Sequence, residues 1–515
     1  MPKTKVFLPA LLLVNMLVAA SVFAQTATGI FEGSADVGKS KHQGSVVYNS
    51  SLQQYTVKSA GSNMWFDADD FHFVWRKIKG DFILRANAAF LGKGVEVHRK
   101  FGLMVRKSLN ANSAHASAVV HGDGLTSLQY RNADADSTRE QKLSITGADV
   151  IQLERRGNTY TMSAARNGDV FGPEEKVDVD LGDDVYVGIF VCSHNADVTE
   201  SAVFKNVRIV KPAPVDLVAY KQYLGSNIEL LDIATQNSRV VYQSPKSLQA
   251  PNWTTDNKSL IYNSDGTLYK FNLANNTPTA LNTDPAKNNN NDHVISFDGK
   301  WLTISSGDGG PSIGYVVPVD GGKARRVTQL GKGASYMHGW SPDGKWLVFC
   351  GERNKEYDVY RIPAEGGEEE RLTNTPGLDD GPEYTPDGQY IYFNSVRSGL
   401  MQIWRMKADG SEQTQITNDD NNNWFPHISP DGKQIVFITF LKNEVAPGDH
   451  PFYKHVYIRV MPIGGGPAKV VAYLYGGQGT INTPSWSPDS KHIAFVSNTD
   501  LLFPVYPMSK NKTIN

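Results

Sequence analysis

The chain has 515 residues, with 51 basic and 53 acidic side chains and a formal charge of −2. That length exceeds one ordinary domain, and the near-neutral balance excludes nucleic acid as a partner class. Two cysteines, Cys192 and Cys350, both lie inside apolar strand-like runs; they read as two buried thiols, since a disulfide would have to join separate domains.

Residues 1–24 form a secretory signal. Lys3 and Lys5 supply a positive start, an apolar run follows from Val6 to Ala20, and Val22-Phe23-Ala24 precedes Gln25. The apolar run is short for a membrane span, and no other stretch approaches the ~18 apolar residues that one requires. No cysteine lies near the cleavage position. The expectation is an exported protein, periplasmic or secreted, with no transmembrane segment after cleavage.

Residues 26–211 alternate in short apolar and polar runs, such as Phe71-His-Phe-Val-Trp75, Phe101-Gly-Leu-Met-Val-Arg106 and Val185-Tyr-Val-Gly-Ile-Phe-Val191. Many strands at short spacing predict a β-sandwich. On it, His98, Arg106, His121, Asp123, Gln129 and Tyr130 form a polar and aromatic set suited to a glycan, or to an ordinary solvated face. Lys211-Pro-Ala-Pro214 opens a stiff linker over 212–226.

From there one phrase recurs six times: Thr254-Thr-Asp-Asn-Lys258, Ser296-Phe-Asp-Gly-Lys300, Ser341-Pro-Asp-Gly-Lys345, Thr385-Pro-Asp-Gly-Gln389, Ser429-Pro-Asp-Gly-Lys433 and Ser487-Pro-Asp-Ser-Lys491. The aspartates are 42, 45, 44, 44 and 58 residues apart, a period that marks a propeller or solenoid. In the clearest unit, 336–341 is a strand, Pro342-Asp-Gly344 a tight turn, 345–350 an apolar strand, 358–362 an alternating strand and 370–373 a short polar outer strand. Four antiparallel strands grading from buried to solvated make a blade. The last anchor is followed by one clear strand, 492–496; its missing partners come from 227–231 and 239–242, so strands from both ends close a ring of six blades over 227–499, with 500–515 as a tail.

The Ser/Thr-Pro-Asp-Gly-Lys phrase followed by a strand resembles the repeat of TolB-type propellers, and 476–497 resembles the closing blade of exported TolB-like proteins. Gly80-Asp-Phe82, the run Lys100 to Arg106, and Val203-Phe-Lys-Asn-Val-Arg-Ile209 resemble a concanavalin-like jelly roll. Together these resemblances imply an all-β chain: an N-terminal concanavalin-like β-sandwich followed by a six-bladed TolB-type β-propeller. Propeller-type oligogalacturonate lyases are similar in having channel histidines and a metal, although their His-x-His spacing is not found here.

Residues just upstream of each repeat phrase converge at the mouth of a propeller channel. Here they are Asn291, Asp292 and His293 in the second blade, His338 in the third, Asp379, Asp380 and Glu383 in the fourth, Asn423, Trp424 and His427 in the fifth, and Gln478, Thr480 and Asn482 in the closing blade. Polar groups with an aromatic suit a small ligand. His293, His338 and His427 are candidate ligands of a divalent metal, and a histidine beside a carboxylate can act as a general base. The plainer alternative is a water-filled polar channel. The long fifth-blade spacing holds His450, Tyr453 and His455, a possible lid or a surface excursion.

No nucleophile elbow or phosphate-binding loop is expected, because no long stretch after residue 24 shows helical periodicity; the runs Gly310-Pro-Ser-Ile-Gly314 and Gly33-Ser-Ala-Asp-Val-Gly-Lys-Ser40 have no helix to open. Three readings stand: a protein binding a glycan or protein ligand at the channel mouth and sandwich face, a polysaccharide lyase or hydrolase using the channel histidines and acids, and an envelope protein-interaction adaptor like the TolB propeller.

Overall fold

The computed structural model describes residues 28–503. The signal segment and most of the tail lie outside the described residues. Every regular element within them is a strand.

The N-terminal unit is two seven-stranded sheets, all antiparallel. The first contains Gly33–Val37, Phe71–Lys79, Asp184–Cys192, Lys100–Arg106, His115–His121, Thr126–Arg131 and Arg139–Lys142, in that spatial order. The second contains Glu175–Asp178, Thr159–Ala165, Val150–Arg156, Phe82–Leu91, Glu200–Val210, Gln54–Ser59 and Ser45–Asn49. Alternation along the strands sends Leu103, Val105, Ala116, Ala118 and Ile189 of the first sheet against Phe82, Leu84, Ile151, Leu153 and Phe204 of the second.

The outer face of the first sheet is also covered, which sequence periodicity does not show. Met64, beside Phe71, Phe73, Met104 and Phe190, forms a second apolar cluster. Beside it Asp69 receives a two-pronged bond from Arg131, at 3.0 and 2.7 Å, and lies 3.4 Å from Arg106. Arg106 and Gln129 are therefore buried structural groups; Gln129 bonds His121 at 3.1 Å. Asp123 accepts from the Leu125 backbone N–H at 2.9 Å and closes a local turn.

The second unit is a ring of six small sheets. Five are four-stranded, with innermost strands Gln249–Trp253, Asn289–Ile295, Ser335–Trp340, Asp379–Tyr384 and Asn422–Ile428, and these define blades one to five. The closing blade joins Asn237–Ser244, Ser226–Asp232 and His492–Asn498, with Trp486 bridging Ile493 on the inner side. Strands from both ends of the ring thus share one sheet, in register from Ser226↔Asn498 to Asp232↔His492.

The repeat phrase is the turn that builds each blade. In all six copies the Ser or Thr hydroxyl donates to the aspartate two residues on, at 2.6 Å. The same aspartate accepts the backbone N–H two residues further, and the hydroxyl accepts the N–H that starts the next strand, as at Trp346 (2.9 Å). The fourth position is left-handed: Gly344 has φ +71, and Asn257 (φ 61) and Ser490 (φ 59) hold the same conformation where glycine is absent.

The two units share a buried interface. Ile83 and Val210 pack with Leu224, Phe452, Tyr453 and Tyr475. Arg208 meets Glu229 at 2.5 Å, and Glu229 also accepts from Ser497 and Ser238. Gln53 bonds the Val240 backbone in both directions at 2.9 Å. The described start of the tail packs back on the first unit, with Arg76 4.4 Å from the Phe503 ring centre.

Candidate functional site at one end of the ring

Each innermost strand of blades one to five carries a register break: Gln249/Asn252, Asn289/His293, Met337/Gly339, Asp380/Glu383 and Trp424/His427. An extra residue in one strand bends it and re-aims the side chains around it. Gly381 (φ +61) and Phe425 (φ 52) absorb the kink in blades four and five. The breaks coincide with the polar stretches read from the sequence, so the same local irregularity that spoils each strand turns acids and imidazoles toward a common centre.

That centre is built from four blades. His338 Nε2 lies 3.2 Å from Asp380 Oδ1, both nearly out of solvent. The His338 ring stacks on Phe425 with centres 5.9 Å apart. His450, from the fifth-blade insertion, lies on the Trp424 ring at 4.3 Å and edge-on to Phe425 at 5.4 Å. Burial opposes charge on His338, but Asp380, with Asp292 and Glu383 behind it, raises the imidazole above its ordinary value. Burial likewise works against the Asp380 carboxylate, and His338, then His450 and the Gly381 N–H at 2.7 Å, outweigh it and bring it down to about 2. Asp292 is the counterpart: burial drives it up to about 6, with Asp380 adding to the effect and His338 and Asn290 opposing it. Among the described residues, the one side chain bonded to its carboxylate is Asn290, at 2.8 Å. The Cys350 thiol lies beside the same pair, and burial and then Asp380 hold it firmly protonated.

The remaining candidates divide into scaffold and lining. His293 is fully buried, its Nε2 is 3.1 Å from the Ile261 carbonyl of blade one, and burial lowers it to about 4. His427 has both nitrogens engaged, Nδ1 with Glu383 at 2.6 Å and Nε2 with the Ile481 carbonyl at 2.5 Å. Glu383 also accepts from the Ile428 N–H at 2.9 Å. Asn482 accepts the Gly479 N–H at 2.7 Å and shapes the closing loop. These groups tie neighbouring blades together. His293 places Nε2 on the Ile261 carbonyl and leaves Nδ1 without a partner among the described residues, while His427 divides its nitrogens between Glu383 and the Ile481 carbonyl; among the described residues no three His, Cys, Asp or Glu side chains cluster as metal ligands.

Lining groups are those left with open valences. Among the described residues, Asn291 Nδ2, Trp424 Nε1, His450 Nδ1 and Gln478 Oε1 are buried with no partner. Buried polar atoms are nearly always paired, so four at one end of the ring mark a place for water or a polar ligand. The fifth-blade insertion reaches this centre only through His450. Tyr453 accepts from the Leu224 N–H at 3.0 Å and His455 pairs with Glu154 at 2.9 Å, so both bind the two units together and do not form a lid.

Comparison with known proteins places this ring. A family profile described as the TolB beta propeller domain matches residues 330–449. The uncharacterized protein Atu1656 of Agrobacterium fabrum is 44% identical over 275 residues, which is 53% of this chain and 92% of that protein. A solved TolB-type structure from Agrobacterium tumefaciens is 43% identical, with a TM-score of 0.52 over 54% of this chain and 100% of that one. The chain belongs to the TolB-like propeller family. TolB of Acinetobacter baumannii, at 15% identity and a TM-score of 0.40 over 63% of this chain and 79% of that one, is too distant to carry an argument. The two Agrobacterium matches span little more than half of the chain, and the family profile lies within the ring.

Proposed function

We propose that this TolB-like protein is an exported binding protein, periplasmic or secreted, whose ring end between blades two and five holds a polar ligand, a glycan or a hydroxyl-rich segment of an envelope protein. The carrying observation is the His338–Asp380–Asp292 group ringed by unpaired Asn291, His450 and Gln478 atoms. A charged, buried and incompletely bonded cluster is costly unless something completes it. Alternating donors and acceptors beside the Phe425 and Trp424 rings match sugar hydroxyls and sugar faces. Of the residues expected in the site, Asn291, Asp292, His338, Asp380, Trp424 and Gln478 take ligand roles; His293, Glu383, His427 and Asn482 hold them in place. The N-terminal unit, read as a concanavalin-like sandwich, joins the binding surface from the side.

One observation favours a second reading. Two neighbouring carboxyls, one lowered to about 2 and one raised to about 6, are how acid and base roles are separated in sites that move protons. A lyase or hydrolase would use Asp292 as the proton donor and Asp380 to hold His338 charged.

The test is retention of neutral and acidic polysaccharides and of envelope extract by the parent, His338→Gln and Asp380→Asn. Selective loss of one ligand class in both variants, with unfolding unchanged in shape, supports the site. Equal retention by all three proteins removes it. New ultraviolet absorbance during incubation with acidic polysaccharide decides for a lyase.

A further inference from the structure

A cleft of about 520 Å³ lies away from the ring end, between the two-sheet unit and the fifth blade. That is the size of a small-molecule site, and domain junctions are where such sites concentrate. Arg85 stands in its wall. Its side chain belongs to a residue only 5% exposed, and Nη1 donates to Gln152 at 3.1 Å. Among the described residues it has no carboxylate within ion-pair distance and no other hydrogen bond. The nearest acid, Glu229, is spent on Arg208, Ser497 and Ser238. Glu229 thus pairs with Arg208 alone, and the Arg85 guanidinium at the same buried junction is left without a carboxylate of its own. Burial lowers Arg85 to about 10 against the pull of Glu229, which leaves it cationic at neutral pH.

We propose that this cleft is a second binding site, for a small organic carboxylate that Arg85 grips through its unused N–H fork. The planar fork matches a carboxylate with two parallel bonds. The rest of the cleft selects the body of the ligand. Phe171 and Tyr457, with ring centres 6.1 Å apart, supply an apolar wall. Glu444 lines the same space; burial raises its carboxyl, and it accepts no hydrogen bond from a described residue. It offers an acceptor to a hydroxyl or ammonium group. Glu174 and Asp420, the latter 3.5 Å from Lys442, also line the cleft, so a dianion such as phosphate meets about twice the repulsion of a monoanionic hydroxy acid, and a zwitterionic amino acid meets less still.

Thermal unfolding and calorimetric titration of the full protein with lactate, gluconate and alanine, against inorganic phosphate and sulfate at matched ionic strength, test this. A saturable rise in Tm is expected with at least one of the three organic carboxylates and with neither inorganic anion. Arg85→Lys, which keeps the charge and loses the fork, should weaken binding about tenfold or more. Arg85→Met should abolish it while leaving the unliganded Tm unchanged or higher, because an unpaired buried charge is gone. No response to any organic carboxylate, an equal response to phosphate or sulfate, or undiminished binding by Arg85→Lys overturns the proposal. A lowered unliganded Tm in Arg85→Met makes Arg85 a structural strut and overturns it too. Binding here should be untouched by His338→Gln, so this site and the ring-end site stand or fall separately.

Discussion

Asp292→Asn should make the protein more stable at neutral pH, and the gain should vanish in acid. In the folded state burial raises the Asp292 carboxyl from 3.8 to about 6. A raised carboxyl means the folded state holds its proton longer than the unfolded state does. Below pH ~3 both states are protonated and Asp292 costs nothing; from pH ~4 upward the unfolded chain ionises first, and the penalty is complete above pH ~6. At 1.36 kcal/mol per pH unit, the full penalty is ~3 kcal/mol. Asparagine removes it while its amide oxygen still accepts from Asn290. The attraction to His338 is already contained in that raised value, so the expected gain is ~3 kcal/mol at pH 8, shrinking to about 0.5 kcal/mol at pH 4. Urea unfolding of parent and variant at pH 4, 6 and 8, followed by tryptophan fluorescence, measures this directly. A destabilised variant at pH 8, or a difference that does not change with pH, would refute the reasoning. The expected result would also locate function, since a residue that weakens its own fold is retained for another purpose.

Asp380→Asn should behave oppositely, losing ~2 kcal/mol at pH 7, because a carboxyl lowered from 3.8 to about 2 stabilises the fold at every pH above ~4 and loses that effect as pH falls through ~2; the same urea series reads it. Glu383→Ala strands the His427 Nδ1 and Ile428 N–H groups in a buried place and should cost ~2–5 kcal/mol, with Glu383→Gln costing clearly less, by calorimetric Tm. Gly344→Ala should cost ~1–2 kcal/mol from backbone strain alone, since φ is +71 and nothing lies within 4 Å of an added methyl. Arg208→Ala leaves Glu229 buried without its cation and should cost ~3–5 kcal/mol, seen as a lower Tm.

The ring was legible in the sequence because its defining interactions are local. Ser341, Asp343 and Gly344 bond or bend within one turn, so their spacing alone reports the blade. Even the closure could be read, since 227–231 and 239–242 were strands without a blade and 492–496 was a blade without strands. What was hidden depends on partners distant in the chain. The Ile261 and Ile481 carbonyls that meet His293 and His427 come from segments 32 and 54 residues away, beyond the reach of local pattern. The register breaks that turn Asp380 and Asp292 inward exist only relative to the neighbouring strand. His450, Tyr453 and His455 sit within six residues of each other, yet one joins the ring end and two fasten the units, because a loop between two bodies faces both. On the first sheet, Arg106 and Gln129 read as a wet face; the segment carrying Met64 and Asp69 that covers them lies too far upstream for periodicity to reveal.

The shared sheet of the closing blade has a consequence for the order of events in synthesis. Ser226–Asp232 leaves the ribosome before the rest of the ring, and its partner His492–Asn498 leaves after every other strand of the ring. Until then the first strands of the ring have no inner neighbour, and Glu229, held by Arg208 and Ser238, lacks its bond from Ser497. The two-sheet unit can fold while the chain is still growing. The ring cannot, and a product cut short anywhere before residue 492 would carry an open edge strand for its lifetime. Full-length translation is thus a condition of closure, and premature termination near the 3′ end of the message should yield aggregating rather than merely weakened protein.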